Sequence, residues 1–282
     1  MAQQKSRIFL ITGVSSGFGR ALAEAALAGG HRVAGTVRRE ADRAAFEALA
    51  PGRARGVVLD VTDTDAVAPA VAAIEATFGP IDVLVNNAGY GHEGTIEESS
   101  MADLRRQFEV NVFGAVAMIQ AVLPFMRERR AGHIVNITSM GGIVTFPGLG
   151  FYHGSKFALE GISETLGKEL KSFGIAVTAV EPGGFRTDWA GRSMVRAERS
   201  IADYDAVFAP LRARREANSG RQPGDPAKAA RAILDLVEAP EPPAHLLLGR
   251  DAVGFVREKI GALKAEIAAW EQVSLSTDFG SI

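Results

Sequence analysis

The stretch TGVSSGFG, Thr12 to Gly19, decides the fold, and it directly follows the apolar run Ile8–Ile11. That run predicts a short buried strand, Arg7–Thr12, and the Ala-rich residues Gly19–Ala28 predict a helix after the glycines. Glycines between a strand and a helix allow a tight turn that points backbone N–H groups at an anion such as a phosphate. A glycine-rich turn without a ligand is the alternative, and the flanking strand and helix favour the binding interpretation.

The same alternation of strand and helix continues along the chain. The predicted strands are Arg7–Thr12, Arg32–Val37, Gly56–Val61, Ile81–Val85, His133–Thr138, Ile175–Val180 and His245–Leu248. The predicted helices are Gly19–Ala28, Ala41–Ala50, Asp65–Phe78, Met101–Arg129, Tyr152–Ser172 and Ala227–Val237, the last with Asp225 as its N-cap. This order predicts an α/β fold, a Rossmann-type doubly wound parallel sheet of about seven strands with helices on both faces.

No linker divides the chain, so we expect a single domain over residues 1–282. Residues 188–225 are irregular and rich in Arg, and we expect them to form a substrate loop. Residues 251–282 are expected to form a C-terminal extension, with one amphipathic helix that ends near Trp270 and a polar end after it.

Composition excludes several classes of protein. Of 282 residues, 47% are apolar and 23% charged, which is typical of a globular chain. Lys plus Arg number 31 against 33 Asp plus Glu, so binding to nucleic acid through bulk charge is not expected. Cysteine is absent, which excludes thiol chemistry and suits a reducing compartment.

Two apolar segments bear on membranes and targeting. Ile8–Ile11 is too short for the core of a signal peptide, and Val112–Met126 is interrupted by Gln120 and Pro124. We therefore expect a cytoplasmic protein with no membrane partner.

Polar residues follow the third and fourth predicted strands. Asp60, before Val61, could accept a hydrogen bond from an adenine amino group, or it could cap the next helix. Asn86-Asn87-Ala88-Gly89 could be plain turn residues, or they could hold a loop that lines a cleft.

The sharpest motif is Tyr152-His153-Gly154-Ser155-Lys156. Residues i and i+4 share a helix face, so the Tyr152 phenol and the Lys156 ammonium can point into one site. A phenol with a pKa near 10 transfers protons poorly at neutral pH, and a neighbouring cation lowers that pKa. A surface Tyr–Lys pair is the alternative, and His153 is expected to be incidental.

Together these motifs resemble the short-chain dehydrogenase/reductase family, in its compact single-domain branch, over about Arg7 to Thr187. Thr12–Gly19 is similar to the family's TGxxxGxG loop, Asn86–Gly89 to its NNAG segment, and Pro182 to Thr187 to its PGxxxT segment. The catalytic tetrad of the family is matched by Asn111, Ser139, Tyr152 and Lys156.

The resemblance implies hydride transfer between a nicotinamide and a carbonyl or alcohol carbon. Tyr152 would be the general acid, Lys156 would lower its pKa and bind the nicotinamide ribose, Ser139 would hold the substrate oxygen, and Asn111 would anchor a water. No metal is expected. The cofactor-binding residues implied are Gly13, Ser15, Ser16, Gly17, Phe18, Gly19, Arg38, Asp60, Val61, Asn87, Ala88, Gly89, Tyr152, Lys156, Pro182, Gly183, Phe185 and Thr187.

Two other functions remain open on the same fold. A nucleotide sensor would need the glycine loop but not the tetrad, and a non-redox epimerase or dehydratase would have a GxxGxxG loop and a larger substrate domain. The complete tetrad disfavours the first and the glycine spacing disfavours the second.

The second predicted strand indicates the cofactor. In the family, NAD users carry an acidic residue where this chain has Val37, and Arg38 follows with a planar set of donors that suits a 2′-phosphate. Ser15 could add a hydroxyl donor. We expect NADP(H) to be preferred, with NAD(H) possible. The alternative is that Arg38 and Arg39 are solvated partners of Glu40 and Asp42.

Aromatic and apolar residues near the predicted site point to an apolar small-molecule substrate. They lie in the segments 90–94, 140–146 and 185–207, and are Tyr90, Met140, Phe146, Phe185 and Trp189. Arg192, Arg196 and Arg199 could bind an anionic group or form a solvated lid. Phe157 and Leu159 cannot face the sheet equally, so the resemblance and this surface predict a homodimer or homotetramer.

Overall fold

The computed structural model describes residues 6–187, 189, 191 and 193–280. Its strands are β1 (Ile8–Ile11), β2 (Arg32–Val37), β3 (Ala54–Val58), β4 (Val83–Asn86), β5 (Gly91–Glu93), β6 (Gly132–Ile137), β7 (Ile175–Pro182), β8 (Met194–Arg196) and β9 (His245–Leu248). Its helices are α1 (Gly17–Ala28), α2 (Glu40–Glu47), α3 (Thr64–Thr77), α4 (Met101–Phe108), α5 (Gly114–Arg129), α6 (Gly150–Leu170), α7 (Asp205–Ala217), α8 (Pro226–Glu238) and α9 (Arg250–Leu275).

Seven strands form one parallel sheet in the order β3-β2-β1-β4-β6-β7-β9. All seven predicted strands are present, so the doubly wound α/β fold is confirmed. The direction of winding reverses between β1 and β4. Ligands of such sheets bind outside the carboxyl ends of the strands at this reversal. The loops that follow β1 and β4 are therefore brought together.

The two faces of the sheet bury alternate side chains of the same strand. Phe9 and Ile11 of β1 pack with α1 and α8, whereas Ile8 and Leu10 pack with α3 and α5 on the opposite face. This period of two is what a strand buried on both faces requires. It explains why the strand sequence is continuously apolar.

The predicted helix Met101–Arg129 is interrupted. Residues Glu109–Phe113 form a π-helical turn between α4 and α5. Within the described part of the chain, Met101–Arg129 is the one helical run long and apolar enough to cross a membrane. Its side chains Met118, Ile119, Val122 and Met126 are at most 3% exposed and pack on the sheet, so we interpret it as a core helix.

The prediction that residues 188–225 are irregular is wrong in part. The segment contains β8, which pairs in parallel with β5 to form a second, two-stranded sheet, and helix α7. The helical pattern of α7 is weak because Phe208 is its one buried residue among those described, and Pro210 lies inside it. The helix is held by ion pairs to a distant strand, which a local pattern does not reveal.

Two further boundaries differ from the prediction. The C-terminal helix α9 runs to Leu275 rather than ending near Trp270. Strand β3 ends at Val58, so Asp60 lies beyond the strand and not in it. The Asp60 carboxylate accepts hydrogen bonds from Thr62 N at 3.0 Å and Thr62 Oγ1 at 2.8 Å, which turns the chain before α3.

Candidate active site

The glycine loop connects β1 to α1 with no room for side chains at its tightest point. Gly13 and Gly17 have φ values of +73° and +61°, in the left-handed region that favours glycine. A Cβ on Gly19 would lie 2.3 Å from Gly13 O and 2.4 Å from Asn87 Nδ2. The side chain of Ser16, the N-cap residue of α1, forms no capping hydrogen bond with the residues described. The N–H groups of this helix end are therefore available to an anion.

Asn87 joins this loop to the end of β4. Its Nδ2 donates to Thr12 O at 2.8 Å and to Gly13 O at 3.1 Å. Thr12 Oγ1 in turn accepts from Asn87 N and Ala88 N, both at 2.9 Å. The segment Asn86–Gly89 therefore holds the loop that lines the cleft, which is the second of the two interpretations left open by the sequence.

The PGxxxT segment closes the opposite side of the loop. Phe185 packs its ring against Phe18 of the glycine loop with centroids 5.0 Å apart. A Cβ on Gly17 would approach Thr187 Cβ to 3.8 Å. Gly183 N donates to Leu248 O at 2.8 Å, which fixes the segment beside Pro182 at the end of β7.

These loops fit the nicotinamide dinucleotide that the motifs imply. A Cβ at Gly19 would fill the space between the glycine loop and Asn87. Because glycine has no Cβ, the backbone of the loop can approach a pyrophosphate closely. The predicted residues that lie in the three loops that meet here, or in the helix or strand end beside them, are Gly13, Ser15, Ser16, Gly17, Phe18, Gly19, Asn87, Ala88, Gly89, Pro182, Gly183, Phe185 and Thr187. Val61, which follows β3, is buried against the first residue of α5. A Cβ on Gly114 would lie 2.7 Å from Val61 Cγ2.

At the end of β2 one of two adjacent arginines is neutralised. Arg39 forms a bidentate ion pair with Asp42, with both N–O distances 2.7 Å. Arg38 is exposed and has no ion pair or side-chain hydrogen bond among the described residues. Val37, at 3% exposure, supplies no carboxylate at this position. The alternative made from the sequence was that both arginines are solvated charges paired with Glu40 and Asp42. Both are exposed, and the pairing is present for Arg39 but not for Arg38.

Tyr152 and Lys156 lie one turn apart on the buried face of α6, at 7% and 6% exposure. Lys156 Nζ is 5.9 Å from the centre of the Tyr152 ring and donates to Ile137 O at 2.8 Å. A hydrogen bond joins Ser139 to Tyr152. The structure thus brings together three of the four predicted tetrad residues around one phenol.

The pKa of Tyr152 does not shift in the expected direction. Burial raises it to about 12, and the hydrogen bond with Ser139 acts weakly the other way. Burial also lowers the pKa of Lys156 to about 8, against the field of Glu160. Burial penalises both charged forms and dominates in this arrangement, so the lowering of the Tyr152 pKa by Lys156 that the resemblance implies stays a prediction. The phenol is protonated at neutral pH, as a proton donor must be.

Asn111, the fourth tetrad residue, lies in the π-helical turn and is 2% exposed. Its Oδ1 accepts from Tyr90 N, and its Nδ2 donates to Tyr90 O and to Ser155 Oγ, all at 3.1 Å. Ser155 Oγ donates to Tyr152 O at 2.7 Å. The side chain of Asn111 therefore fixes the loop after β4 and helix α6 at the same time. Turns of this π type are frequent at functional sites.

His153 has a structural role that the sequence did not predict. Its Nδ1 is 2.8 Å from Gly141 O, and its Nε2 accepts from Phe146 N at 2.9 Å, which makes Nδ1 the donor of a neutral ring. Burial lowers the pKa of His153 and keeps it neutral. The ring therefore fixes the loop that follows Ser139.

An apolar wall surrounds the Tyr152 phenol. The side chains that pack with Tyr152 are Phe146 and Leu149, which precede it in the chain, Trp189, and Met194 of β8. The Trp189 ring lies 5.1 Å from the Tyr152 ring between centroids. Of the predicted pocket residues, Phe146 and Trp189 therefore pack beside Tyr152, and Tyr90 contacts Asn111 through its backbone, whereas Phe185 packs toward the glycine loop.

Two buried carboxylates form ion pairs with arginines of the Arg-rich segment, residues 188–225. Glu93, at 0% exposure, binds Arg212 at 2.8 Å and Arg215 at 3.2 Å. Glu98 binds Arg199 and accepts from Ser200 N at 2.7 Å. Burial would raise the pKa of Glu98, but hydrogen bonds from the backbone and Thr95, with the charge of Arg199, lower it to about 2.

These ion pairs show what the arginines of the segment contact. Arg196 lies 3.7 Å from Glu93, and Arg199 is engaged by Glu98, so neither is an uncommitted anion-binding group. Arg192 lies outside the described residues. Of the two interpretations made from the sequence, these contacts favour a lid over an anion-binding patch.

A buried acidic cluster behind the tetrad was also missed. Glu160, one turn after Lys156, lies near Glu181 and His245, and His245 Nδ1 is 2.7 Å from Glu181 Oε1. Burial raises the pKa of Glu160 to about 7, and the charge of the neighbouring Glu181 acts in the same direction. The spacing Tyr152, Lys156, Glu160 places all three on one helix face, and this signal could have identified Glu160.

Comparison with known proteins identifies the family. The family model described as "short chain dehydrogenase" matches residues 7–196. This chain belongs to the short-chain dehydrogenase family. Oxidoreductase BOA17 of Botryotinia fuckeliana is 38% identical over 273 residues, which cover 96% of this chain and 99% of that protein.

Two further relatives carry more specific names. A 3-ketodihydrosphingosine reductase of Bacteroides thetaiotaomicron is 39% identical, covering 86% of this chain and 88% of that protein. An NADPH-dependent 3-dehydrocapnine reductase of Ornithobacterium rhinotracheale is 38% identical, covering 73% and 75%.

Solved structures share the fold. A short-chain dehydrogenase from Streptomyces avermitilis is 43% identical with a TM-score of 0.91, covering 98% of this chain and 100% of that one. A relative from Burkholderia phymatum in complex with NAD is 27% identical with a TM-score of 0.80, covering 100% of both chains. ElxO with NADP bound is 25% identical with a TM-score of 0.70, covering 86% and 96%. Family members with either nicotinamide cofactor thus share this architecture.

Proposed function

We propose that this short-chain dehydrogenase interconverts a carbonyl and an alcohol on an apolar substrate, with NADP(H) as its preferred cofactor. The observation that carries the cofactor assignment is the uncompensated charge of Arg38 beside Val37, while Arg39 is paired with Asp42. A guanidinium is suited to a 2′-phosphate because it offers several N–H donors in one plane. Ser15 adds a hydroxyl at the glycine loop.

The apolar wall around Tyr152 supports the substrate class. Trp189, Phe146, Met194 and Leu149 present hydrocarbon surface where the reacting carbonyl must lie. Two relatives of this chain are named as reductases of 3-ketodihydrosphingosine and of 3-dehydrocapnine. We infer a ketone or secondary alcohol with an extended hydrocarbon chain.

Each tetrad residue has a role that its contacts support. A nicotinamide, when bound, supplies or accepts the hydride. Tyr152 donates its phenolic proton to the developing alkoxide, and Ser139 holds the same oxygen by a hydrogen bond. Lys156 extends toward the cleft beside Gly89 and binds the nicotinamide ribose. Asn111 fixes α6 and the loop at Tyr90, and a water that it anchors links Lys156 to solvent.

We infer one dinucleotide-binding domain over residues 1–282, a cytoplasmic location, and a homodimer or homotetramer that uses α4, α5 and α6. Phe113 and Phe157 support the last inference because they are 51% and 43% exposed on these helices, whereas Leu159 is 2% exposed.

The cofactor preference is tested by kcat/KM for NADPH and NADH. One charge pair at about 4 Å and an effective dielectric near 20 is worth roughly 4 kcal/mol before desolvation. Even a third of that value gives about a tenfold preference for NADPH in the native protein. The double variant Val37→Asp, Arg38→Ala should reverse the preference.

Arg39→Ala is the matched control, because Arg39 is adjacent but already paired with Asp42. It should change the NADPH to NADH ratio by less than about threefold. A native preference for NADH, or a ratio that is unchanged in the double variant, would contradict the assignment. Net change in nicotinamide absorbance during turnover separates this function from a sensor or an epimerase.

A further inference from the structure

Helix α9 carries an apolar stripe that nothing in the described chain covers. Its first turns are anchored, with Ala252 and Val256 at 0% and 4% exposure and the Phe255 ring 5.3 Å from that of Phe146. From residue 257 to residue 280 every residue is exposed. The helical part of this segment therefore projects by about 28 Å, at about 1.5 Å per residue.

The exposed apolar side chains of α9 recur at alternating intervals of four and three residues. The series begins at buried Val256 and continues through Ile260, Leu263, Ile267 and Trp270, which are 46%, 47%, 58% and 65% exposed. This spacing is the seam of a two-stranded coiled coil, in which each apolar side chain inserts between residues of a facing helix. A helix this long that exposes its seam to water indicates a missing partner.

The charges beside the seam indicate which partner fits. Positions that flank it are basic in the first half of the helix, at Arg257, Lys259 and Lys264, and acidic in the second half, at Glu266 and Glu271. A parallel copy would place Lys259 against Lys264 and Glu266 against Glu271, which are repulsive pairs. An antiparallel copy with Arg257 facing Glu271 places the basic end of one helix beside the acidic end of the other, and the Lys264 side chains of the two copies meet at the midpoint.

The same charges disfavour a lipid surface as the partner. Residues 257–271 contain three basic and three acidic side chains, Arg257, Lys259, Lys264, Glu258, Glu266 and Glu271, so they carry no net charge. Helices that lie on anionic membranes are enriched in Lys and Arg on the polar face. The outer face of α9 carries Ala262, Ala265, Ala268 and Ala269 instead.

We propose that α9 pairs antiparallel with α9 of a second copy of this chain, through the exposed part of the seam from Ile260 to Trp270. This interface is separate from the α4, α5 and α6 surface, and it lies outside residues 7–196, which the family model matches. A chain with two different two-fold interfaces forms a tetramer, and a chain with one forms a dimer.

Light scattering on the full-length chain tests the pairing. The double variant Leu263→Glu, Ile267→Glu places like charges in the seam, and it should halve the mass of the assembly relative to the native protein. The control Ala262→Glu, Ala269→Glu adds the same charge on the outer face and should leave the mass unchanged. Both variants should keep native helix content and oxidoreductase activity, because the changed residues are exposed and far from Tyr152.

Cysteine crosslinking tests the direction, since the native chain has no cysteine. Arg257→Cys and Glu271→Cys chains should form a disulfide with each other when mixed, and neither should crosslink with itself. Crosslinking of each chain with itself would indicate a parallel pair and overturn the proposal. A mass unaffected by the seam variant would also overturn it, as would seam-dependent binding to lipid vesicles by a protein of unchanged mass.

Discussion

Gly19 is the residue at which the glycine loop has the least space. Its position in the motif could be predicted from the sequence, since a strand, three glycines and a helix in that order require a tight turn. The identity of the neighbour could not, because Asn87 comes from β4, far away in sequence. The contact depends on the order of strands in the sheet.

Substitution of Gly19 by Ala should weaken cofactor binding. The added Cβ would lie 2.3 Å from Gly13 O, so the loop must shift and the N–H groups of α1 must move with it. We expect the cofactor dissociation constant to rise at least about tenfold, and the free energy of unfolding to fall by about 1–3 kcal/mol. Fluorescence titration and urea denaturation measure these two quantities.

Gly161→Ala is the control for this experiment. Gly161 is exposed on α6 and a Cβ there has no neighbour within 4 Å. Replacement of a helical glycine by alanine should raise the free energy of unfolding by up to about 1 kcal/mol and leave cofactor binding unchanged. If Gly19→Ala behaved like Gly161→Ala, the close packing of the loop would be refuted.

The protonation of single residues was the least predictable property. The spacing of Tyr152 and Lys156 places them on one helix face, but their pKa values depend on burial by distant segments. The same holds for His153, whose ring nitrogens bind the backbone of Gly141 and Phe146. The sequence therefore predicted which residues meet but not their electrostatics.

At the scale of elements, α6 carries both the tetrad pair and the acidic cluster behind it. Glu160 lies under the turn that follows Ser139, where a Cβ on Gly142 would lie 2.8 Å from Glu160 Cγ. Glu181 is buried near the end of β7, immediately before the Pro182-Gly183 segment of the cleft. The cluster thus connects α6, β7 and β9 directly behind the active site.

Glu160→Gln should change how stability depends on pH. Burial raises the pKa of Glu160 from 4.5 to about 7, so the folded state holds a proton that the unfolded chain releases. The stabilisation from this group is complete below its ordinary pKa and is lost as the pH rises through about 7. From about pH 5 to pH 8, the unfolding free energy of the native protein should fall relative to that of the variant by up to about 3 kcal/mol.

Urea denaturation at several pH values measures this difference, with Glu169→Gln as control. Glu169 is an exposed carboxylate on the same helix, and its substitution should produce no comparable change with pH. A difference between the native protein and Glu160→Gln that stays constant with pH would contradict the raised pKa.

Elements that depend on contacts with residues far away in the sequence were hard to predict. Helix α7 depends on Glu93 for Arg212 and Arg215, and β8 depends on β5 for its hydrogen bonds. The π-helical turn at Asn111 interrupts a sequence whose apolar periodicity is that of a continuous helix. In each case the deciding contacts come from residues far along the chain.

At the scale of the whole molecule, the sheet and its reversal could be predicted from the alternation of strands and helices. The rule that ligands bind at the reversal then places the loops after β1 and β4 in one cleft, and the hydrogen bonds of Asn87 to Thr12 and Gly13 are the result. Assembly could not be derived in the same way, because the sequence alone does not show which apolar side chains the folded chain leaves exposed.

The most direct test of the account is the turnover of Tyr152→Phe on a long-chain ketone, followed by nicotinamide absorbance. The change removes the phenolic proton donor and keeps the ring that packs on Trp189. Tyr204→Phe, which loses one exposed hydrogen bond to Glu97, is the control. We predict that Tyr152→Phe lowers kcat by at least about 10²-fold with cofactor binding unchanged, and that Tyr204→Phe retains native turnover. Turnover near the native rate in Tyr152→Phe would contradict the assignment of Tyr152 as the general acid and, with it, the proposed chemistry of the site.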